Sequence, residues 1–202
     1  MKIEYEATFA KGIDKEDMRE KLKGVGADLV RPEFLQKRVV FDFPGEKDRE
    51  IRETGGYGFL RVRDEGDKTT LTLKIFDGKK ISDQKETEVV VSDFDETVAI
   101  CHGIGCVART SEESKRELWK FDETEVTIDT WPFLGSIVEV EGKSEEAVKA
   151  ASEKLGFDWS EAKFCSIGLL YREKFGLGPV DLAKKTGQMT NLSFSGQNPF
   201  IT

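Results

Sequence analysis

Val138-Glu139-Val140-Glu141 alternates apolar and acidic side chains, and this alternation is the pattern that decides the fold. Successive side chains of a β-strand point to opposite faces, so both glutamates share one face and both valines share the other. The same alternation recurs in Ile3-Glu4-Tyr5-Glu6-Ala7, Leu60-Arg61-Val62-Arg63, Leu71-Thr72-Leu73-Lys74-Ile75 and Ile128-Asp129. Each of these stretches is therefore predicted to be a strand with one apolar face and one polar face.

Two architectures accommodate such strands. An open sheet would bury its apolar face and leave its charged face in water. A closed barrel would instead turn the apolar side outward beneath helices and the charged side into a lumen. The charges come in short pairs of one sign, and arginine suits bidentate binding of phosphate or carboxylate. This pairing favours the closed barrel, whose buried charges need oppositely charged partners or ligands.

The rest of the chain supports a strand-rich domain. Strands are predicted at about 2–10, 34–43, 58–65, 69–77, 84–91, 113–121, 124–131 and 136–142. Helices are predicted from Asp14 to about Lys23, after Ser92-Asp93 to about His102, from Ser144 to about Leu155 and from Ser160 to Phe175. Residues 44–56 are predicted to be a flexible loop. Residues 1–175 form the predicted domain, and the Gly-, Pro- and Asn-rich residues 176–202 form a tail that is loosely ordered or wraps the domain.

Composition limits the class of protein. The 202 residues include 39 acidic and 31 basic side chains, which gives a formal net charge of -8. This balance argues against an extended nucleic-acid surface or a surface for anionic membranes, and no apolar run has the length of a membrane span. Three cysteines form no disulfide framework or zinc motif, so buried thiols in a reducing cytoplasm are predicted. His102 is the only histidine, and catalysis is not expected to rest on imidazole.

The order of the charged residues resembles that of the CYTH superfamily, the triphosphate tunnel metalloenzymes. The resemblance rests on Glu4-x-Glu6, Arg61-x-Arg63, Lys74, Glu86-x-Glu88, Arg116, Asp129 and Glu139-x-Glu141. It implies an α+β fold, an eight-stranded antiparallel barrel with a charged lumen and helices packed outside. It also implies dependence on Mg²⁺ or Mn²⁺, and a monomer or homodimer.

The resemblance also implies roles for individual residues. Phosphate oxygens would be held by Arg61, Arg63, Lys74, Arg116 and Lys163. Arg38 is added to this set from strand parity alone, which places it on the same face. The metal ligands would come from Glu4, Glu6, Glu86, Glu88, Asp129, Glu139 and Glu141, whose hard oxygens suit these ions. The catalytic set would be Glu4, Glu6, Asp129, Glu139 and Glu141. Lys163 is either a lysine that closes over the phosphates or a plain surface lysine.

One position departs from the family pattern. The family begins with Glu-x-Glu-x-Lys, and Thr8 occupies the lysine position here. Arg38 has the parity to replace the missing lumen cation. The charge run that contains Glu112 is predicted to be solvated, and Trp131 is predicted to be a core or rim residue.

The resemblance leaves three functions open. The first is hydrolysis of a small-molecule triphosphate, namely thiamine triphosphate, tripolyphosphate or a nucleoside triphosphate such as ATP. The second is a class IV adenylate cyclase that forms cyclic AMP and pyrophosphate from ATP. The third, which Thr8 suggests, is a non-catalytic module that binds triphosphate or polyphosphate.

Overall fold

A computed structural model describes residues 1–53, 55–177 and 190–201 of the chain. Within these residues, nine strands form one antiparallel barrel in the order β1-β6-β5-β4-β3-β7-β8-β9-β2. They are β1 (Lys2–Ile3), β2 (Tyr5–Phe9), β3 (Asp28–Asp42), β4 (Tyr57–Asp64), β5 (Thr69–Phe76), β6 (Gln84–Val91), β7 (Val107–Phe121), β8 (Thr124–Trp131) and β9 (Gly135–Gly142).

The barrel closes through the first residues of the chain. β1 pairs with β6 and β2 pairs with β9, and only Glu4 separates the two short strands. The two ends of the sheet therefore belong to one continuous segment. The predicted α+β barrel is confirmed, and the break at Glu4 explains why nine strands are present instead of eight.

Five helices lie within the described residues, at α1 (Lys15–Gly24), α2 (Lys47–Glu53), α3 (Phe94–Gly103), α4 (Glu145–Lys154) and α5 (Ile167–Phe175). Three of them begin where the sequence predicts. The side chains of Asp14, Asp93 and Ser144 accept hydrogen bonds from backbone N–H groups in the first turns of α1, α3 and α4. These N-caps satisfy donors that have no partner inside the helix.

Two apolar clusters lie outside the barrel wall, beneath the helices. α1 and α4 cover the outer faces of β2, β8 and β9, where Leu22 and Val148 pack against Val126, Ile128 and Val140. α3 covers β4 and β5 in a second cluster. Burying the outward apolar face beneath helices leaves the alternate, charged side chains of the same strands to face the interior of the barrel.

Two local predictions are wrong. Residues 44–56, predicted to be a loop, contain the helix α2. The single helix predicted over 160–175 is instead a short 3₁₀ turn (Trp159–Glu161) followed by extended residues and then α5. The interruption has a tertiary cause, because the backbone of Lys163 pairs with that of Thr8 through N···O distances of 2.9 and 3.0 Å.

Two strands are longer than predicted. β3 begins at Asp28 instead of residue 34, and β7 begins at Val107 instead of residue 113. The pairing of β3 with β7 shifts register between Leu29 and Phe34, on both sides of Pro32. Proline lacks a backbone N–H, and within strands it occurs at such irregularities. Pro32 therefore makes the first part of β3 difficult to recognise from the sequence.

The C-terminal residues extend the wall of the barrel. β10 (Thr190–Leu192) pairs in parallel with β7, and the Leu192 side chain is buried. The Phe200 ring stacks on Phe175 of α5, with 4.7 Å between ring centroids. Residues 178–189 of the predicted tail lie outside the described residues, so the division into a domain of 1–175 and a tail of 176–202 stays a prediction. None of the described helices combines the length and hydropathy needed to cross a membrane.

Candidate functional site

The barrel encloses a cavity of about 1720 Å³ whose wall is rich in charged side chains. Of the residues that the sequence predicts for the site, all but Asp129 line this cavity: Glu4, Glu6, Arg38, Arg61, Arg63, Lys74, Glu86, Glu88, Arg116, Glu139, Glu141 and Lys163. They come from seven strands, from the break at Glu4 and from the segment before α5. The alternation within each strand directs them inward, so residues far apart in sequence meet in one lumen.

One side of the lumen holds an acidic cluster. Glu4, Glu6 and Glu141 each place a carboxylate oxygen within 4.8 Å of the others. The Lys74 ammonium lies 2.7 Å from Glu4 and 3.3 Å from Glu6. Register explains the meeting, since Glu6 is directly opposite Glu141 in the β2–β9 pair.

Three glutamates of the lumen, Glu4, Glu139 and Glu141, hold protons more tightly than usual. Burial, followed by repulsion from Glu6, raises the pKa of Glu4 to about 7 and the pKa values of Glu139 and Glu141 to about 8. Burial lowers the pKa of Lys74, but Glu6 and Glu4 outweigh that effect and raise it above its usual value. The cluster carries more negative potential than Lys74 neutralises, and a divalent cation would relieve it.

A second group centres on Arg116. Its Nε atom donates to Asp129 at 2.8 Å and its Nη2 atom donates to Glu139 at 2.7 Å. Asp129 is fully buried, and Arg116 lies between it and the lumen. Asp129 is therefore placed to orient the guanidinium of Arg116.

Arg61 and Arg63 form a third group with the two glutamates of β6. The Glu88 carboxylate lies 3.5 Å from Arg61 and 3.4 Å from Arg63, and it accepts a hydrogen bond from Thr72 at 2.7 Å. Glu86 lies 4.0 Å from Arg61. Burial raises the pKa of Glu88, but Thr72 and the two arginines outweigh it and leave that pKa below its usual value. Glu88 thus serves as a counter-ion to the arginines.

Lys163 and Thr8 are held together by the backbone pairing described above. The Lys163 side chain lines the lumen and forms an ion pair with Glu173 of α5. Thr8 is buried, opposite Glu139 in the β2–β9 register. The extended segment 162–166 is further fixed by the Tyr57 hydroxyl, which accepts a hydrogen bond from the Ser166 N–H at 2.8 Å.

Several residues that line the lumen were not predicted from the sequence. Glu112 and Thr110 of β7 face the lumen and are buried, so the prediction of a solvated Glu112 is wrong. Trp131 is almost fully buried and lines the same cavity. Extending the alternation of β7 backward from Arg116 would have placed Glu112 and Thr110 on the inner face, but the strand was predicted to begin only at residue 113.

Comparison with known proteins gives one family and several similar structures. The CYTH domain model matches residues 2–161. A conserved hypothetical protein from Pyrococcus furiosus is 21% identical, with a TM-score of 0.68 over 83% of this chain and 99% of its own. A candidate adenylate cyclase from Vibrio parahaemolyticus is 13% identical, with a TM-score of 0.66 over 84% of this chain and 98% of its own.

A plant protein shares the fold as well. A candidate adenylyl cyclase from Hippeastrum, described as having a dominant triphosphatase activity, is 16% identical, with a TM-score of 0.52 over 90% of this chain and 99% of its own. At these identities the likeness establishes the fold alone. No curated protein is significantly similar to this chain in sequence.

Proposed function

Because this chain belongs to the CYTH domain family, we propose that it is a metal-dependent phosphohydrolase that removes the terminal phosphoryl group of a small-molecule triphosphate. The observation that carries the proposal is the meeting of two complementary sets of charges in one lumen. Arg61, Arg63 and Arg116 line the same cavity as the cluster of Glu4, Glu6 and Glu141. A triphosphate needs the cations, and the divalent metal that accompanies it needs the carboxylates.

The acidic cluster fits a divalent cation. Three carboxylate oxygens within 4.8 Å of one another are hard ligands of the kind that Mg²⁺ and Mn²⁺ prefer. When bound, such an ion would neutralise phosphate charge and activate water. Glu139 and Asp129 lie with Arg116 instead of in this cluster, so Glu4, Glu6 and Glu141 are the residues that would hold the ion.

The cations would bind the phosphate oxygens and stabilise the charge that develops on the leaving group. Arg61, Arg63 and Arg116 present planar guanidinium groups that suit bidentate contacts with phosphate. Asp129 keeps Arg116 in place through the hydrogen bond to its Nε atom. Glu139, which lies 2.7 Å from the Arg116 guanidinium, would accept the proton of the attacking water. The new bond joins the water oxygen to the terminal phosphorus as the bridging P–O bond breaks.

The test is a phosphate-release panel with Mg²⁺ and with Mn²⁺ over thiamine triphosphate, tripolyphosphate, ATP and an RNA 5′-triphosphate. We expect turnover of at least one substrate that requires the metal. Arg61→Ala and Glu141→Gln should each lower kcat/KM about 100-fold, the usual effect of losing one well-placed electrostatic group. Lys37→Ala and Glu123→Gln change exposed charges and serve as matched controls. Metal-dependent turnover that survives both lumen substitutions would contradict the site assignment.

The main alternative is cyclisation of ATP, in which the ribose 3′-hydroxyl attacks the α-phosphate and pyrophosphate leaves. One feature favours a substrate with a ring: Tyr57 and Phe76 both line the lumen and stack with 4.4 Å between ring centroids. Incubation with ATP and Mn²⁺ separates the reactions, since a hydrolase gives ADP and phosphate whereas a cyclase gives cyclic AMP and pyrophosphate. Tight triphosphate binding without any product would favour a non-catalytic module.

A further inference from the structure

Three cationic side chains of the described residues are classed as buried, namely Arg38, Arg63 and Lys74. Arg63 lies 2.8 Å from Glu65 and Lys74 lies 2.7 Å from Glu4. Arg38 has no carboxylate within 4.0 Å among the residues that the structure describes. A buried charge without a counter-ion is costly, because desolvation is not offset by an ion pair.

The side chains that accept hydrogen bonds from Arg38 are uncharged. Its Nη2 atom donates to Gln36 at 2.8 Å and to Ser114 at 2.7 Å, and both acceptors are uncharged. Its guanidinium carbon lies 4.4 Å from the centroid of the Trp131 ring. Burial, followed by repulsion from Arg61, lowers the pKa of Arg38 to about 10, so the side chain remains charged at neutral pH.

Two carboxylates, those of Glu112 and Asp129, are near Arg38, but neither forms an ion pair with it among the described residues. Glu112 is the cross-strand neighbour of Arg38 in the β3–β7 register and attracts it electrostatically. Its Oε1 atom accepts a hydrogen bond from Thr110 at 2.6 Å, and its oxygens stay beyond 4.0 Å from the guanidinium. Glu112 therefore reduces the cost of the buried charge without occupying its donors.

Three buried N–H donors in this part of the barrel have no acceptor among the residues that the structure describes. They are Nε of Arg38, Nε2 of Gln36 and Nε1 of Trp131. Each is a donor, and Arg38 and Trp131 both line the cavity. Buried donors are normally satisfied, so a hydrogen-bond acceptor is expected beside them.

We propose that Arg38 and Trp131 form a buried subsite for one phosphoryl group, separate from the cations that are already paired with carboxylates. The proposal rests on the proposed function only for the identity of the anion. An oxyanion would accept from the Arg38 guanidinium and from the Trp131 N–H, and would supply the missing negative charge. Arg38 is thus a lumen cation that forms no ion pair within the described residues, in a barrel where Thr8 replaces the lysine of the family pattern.

The test measures binding without turnover, by calorimetry with imidotriphosphate, a non-hydrolysable tripolyphosphate analogue, at fixed Mg²⁺ and ionic strength. Arg38→Met should weaken binding at least tenfold, and Arg38→Lys should recover part of the loss. Lys37→Met alters the neighbouring exposed residue of the same strand and should bind as the wild type does. Without any anion, the Tm of Arg38→Met should be no lower than that of the wild type, since the variant removes an uncompensated buried charge.

A second variant tests the subsite in case Arg38→Met does not fold. Trp131→Phe keeps the ring against Arg38 but deletes the N–H, and it should weaken binding about threefold, as expected for one neutral hydrogen bond. Adding inorganic phosphate alone, and measuring whether it stabilises the protein, tests whether the anion is a free phosphate ion or a phosphate group within a chain. Stabilisation of the wild type but not of Arg38→Met by free phosphate shows that the subsite accepts free phosphate. An effect confined to imidotriphosphate shows that it requires a phosphate chain.

The inference and the proposed function can fail independently. Unchanged affinity in Arg38→Met, or in Trp131→Phe if the first variant is unfolded, overturns the subsite even if hydrolysis is observed. A lower Tm of Arg38→Met without anion, combined with no recovery in Arg38→Lys, also overturns it and assigns Arg38 a structural role. Tight binding that depends on Arg38, with no triphosphate hydrolysed, supports the subsite and contradicts the hydrolase.

Discussion

At the scale of single residues, the lumen carboxyls make stability depend on pH. The pKa values of Glu4 and Glu139 in the folded protein are about 7 and about 8, above the ordinary value of 4.5. The folded state then binds protons more tightly than the unfolded state. Their contribution to stability is fully present below about pH 4.5 and is lost as the pH rises through 7 and 8.

Substituting Glu139 isolates this effect from that of other titrating groups. Relative to the wild type, metal-free Glu139→Gln should gain free energy of unfolding as the pH rises from 5 to 8, because glutamine carries no charge to desolvate. Urea unfolding at several pH values measures the difference. Glu123→Gln, at an exposed turn, should show no such trend. A difference that stays constant with pH, or shrinks as the pH rises, would contradict a raised pKa for Glu139.

At the scale of elements, the alternation of side chains predicted the strands and their inward faces better than local patterns predicted where every helix begins and ends. The inward positions of β4, β5 and β9 follow from their sequences alone, because each strand is regular and has one apolar face. The helix α2 and the break before α5 did not follow. Residues 162–166 are extended because they pair with Thr8 and with the Tyr57 hydroxyl, two contacts distant in sequence. Local patterns do not contain such contacts, whereas an N-cap such as Asp14 is local and was predicted.

The hydrogen bond between Tyr57 and Ser166 tests how the segment before α5 is held. Tyr57→Phe should lower the free energy of unfolding by about 1 kcal/mol and remove the hydrogen-bond partner of the partly buried Ser166 N–H. Hydrogen exchange at Ser166 should accelerate while exchange in β4 stays slow. Tyr5→Phe is the control, since no hydrogen bond of the Tyr5 hydroxyl occurs within the described part of the chain. Equal protection of Ser166 in both variants would show that the bond does not hold the segment.

At the scale of the whole molecule, the distribution of charge accounts for the architecture. A chain with a net charge of -8 concentrates arginines inside the barrel and places two apolar clusters between the outer wall and the helices. Closing such a barrel costs the desolvation of many ionisable groups, which the ion pairs of the lumen offset only in part. A ligand that supplies both anionic oxygens and a divalent metal would complete the balance. Binding is therefore expected to stabilise the fold as well as precede reaction.

The C-terminal strand β10 is predicted to contribute to the stability of the whole barrel. Leu192 of β10 is buried, lines the cavity and packs with Trp131 and Tyr171, whereas its neighbour Asn191 is exposed. Leu192→Ala should lower the free energy of unfolding by about 2–5 kcal/mol, as is usual when a buried leucine is truncated. Asn191→Ala should change it by less than about 0.5 kcal/mol. A single cooperative urea transition, shifted to lower denaturant only in Leu192→Ala, would show that β10 folds with the barrel. Equal stability of the two variants would mean that the C-terminal strand does not contribute to the stability of the barrel.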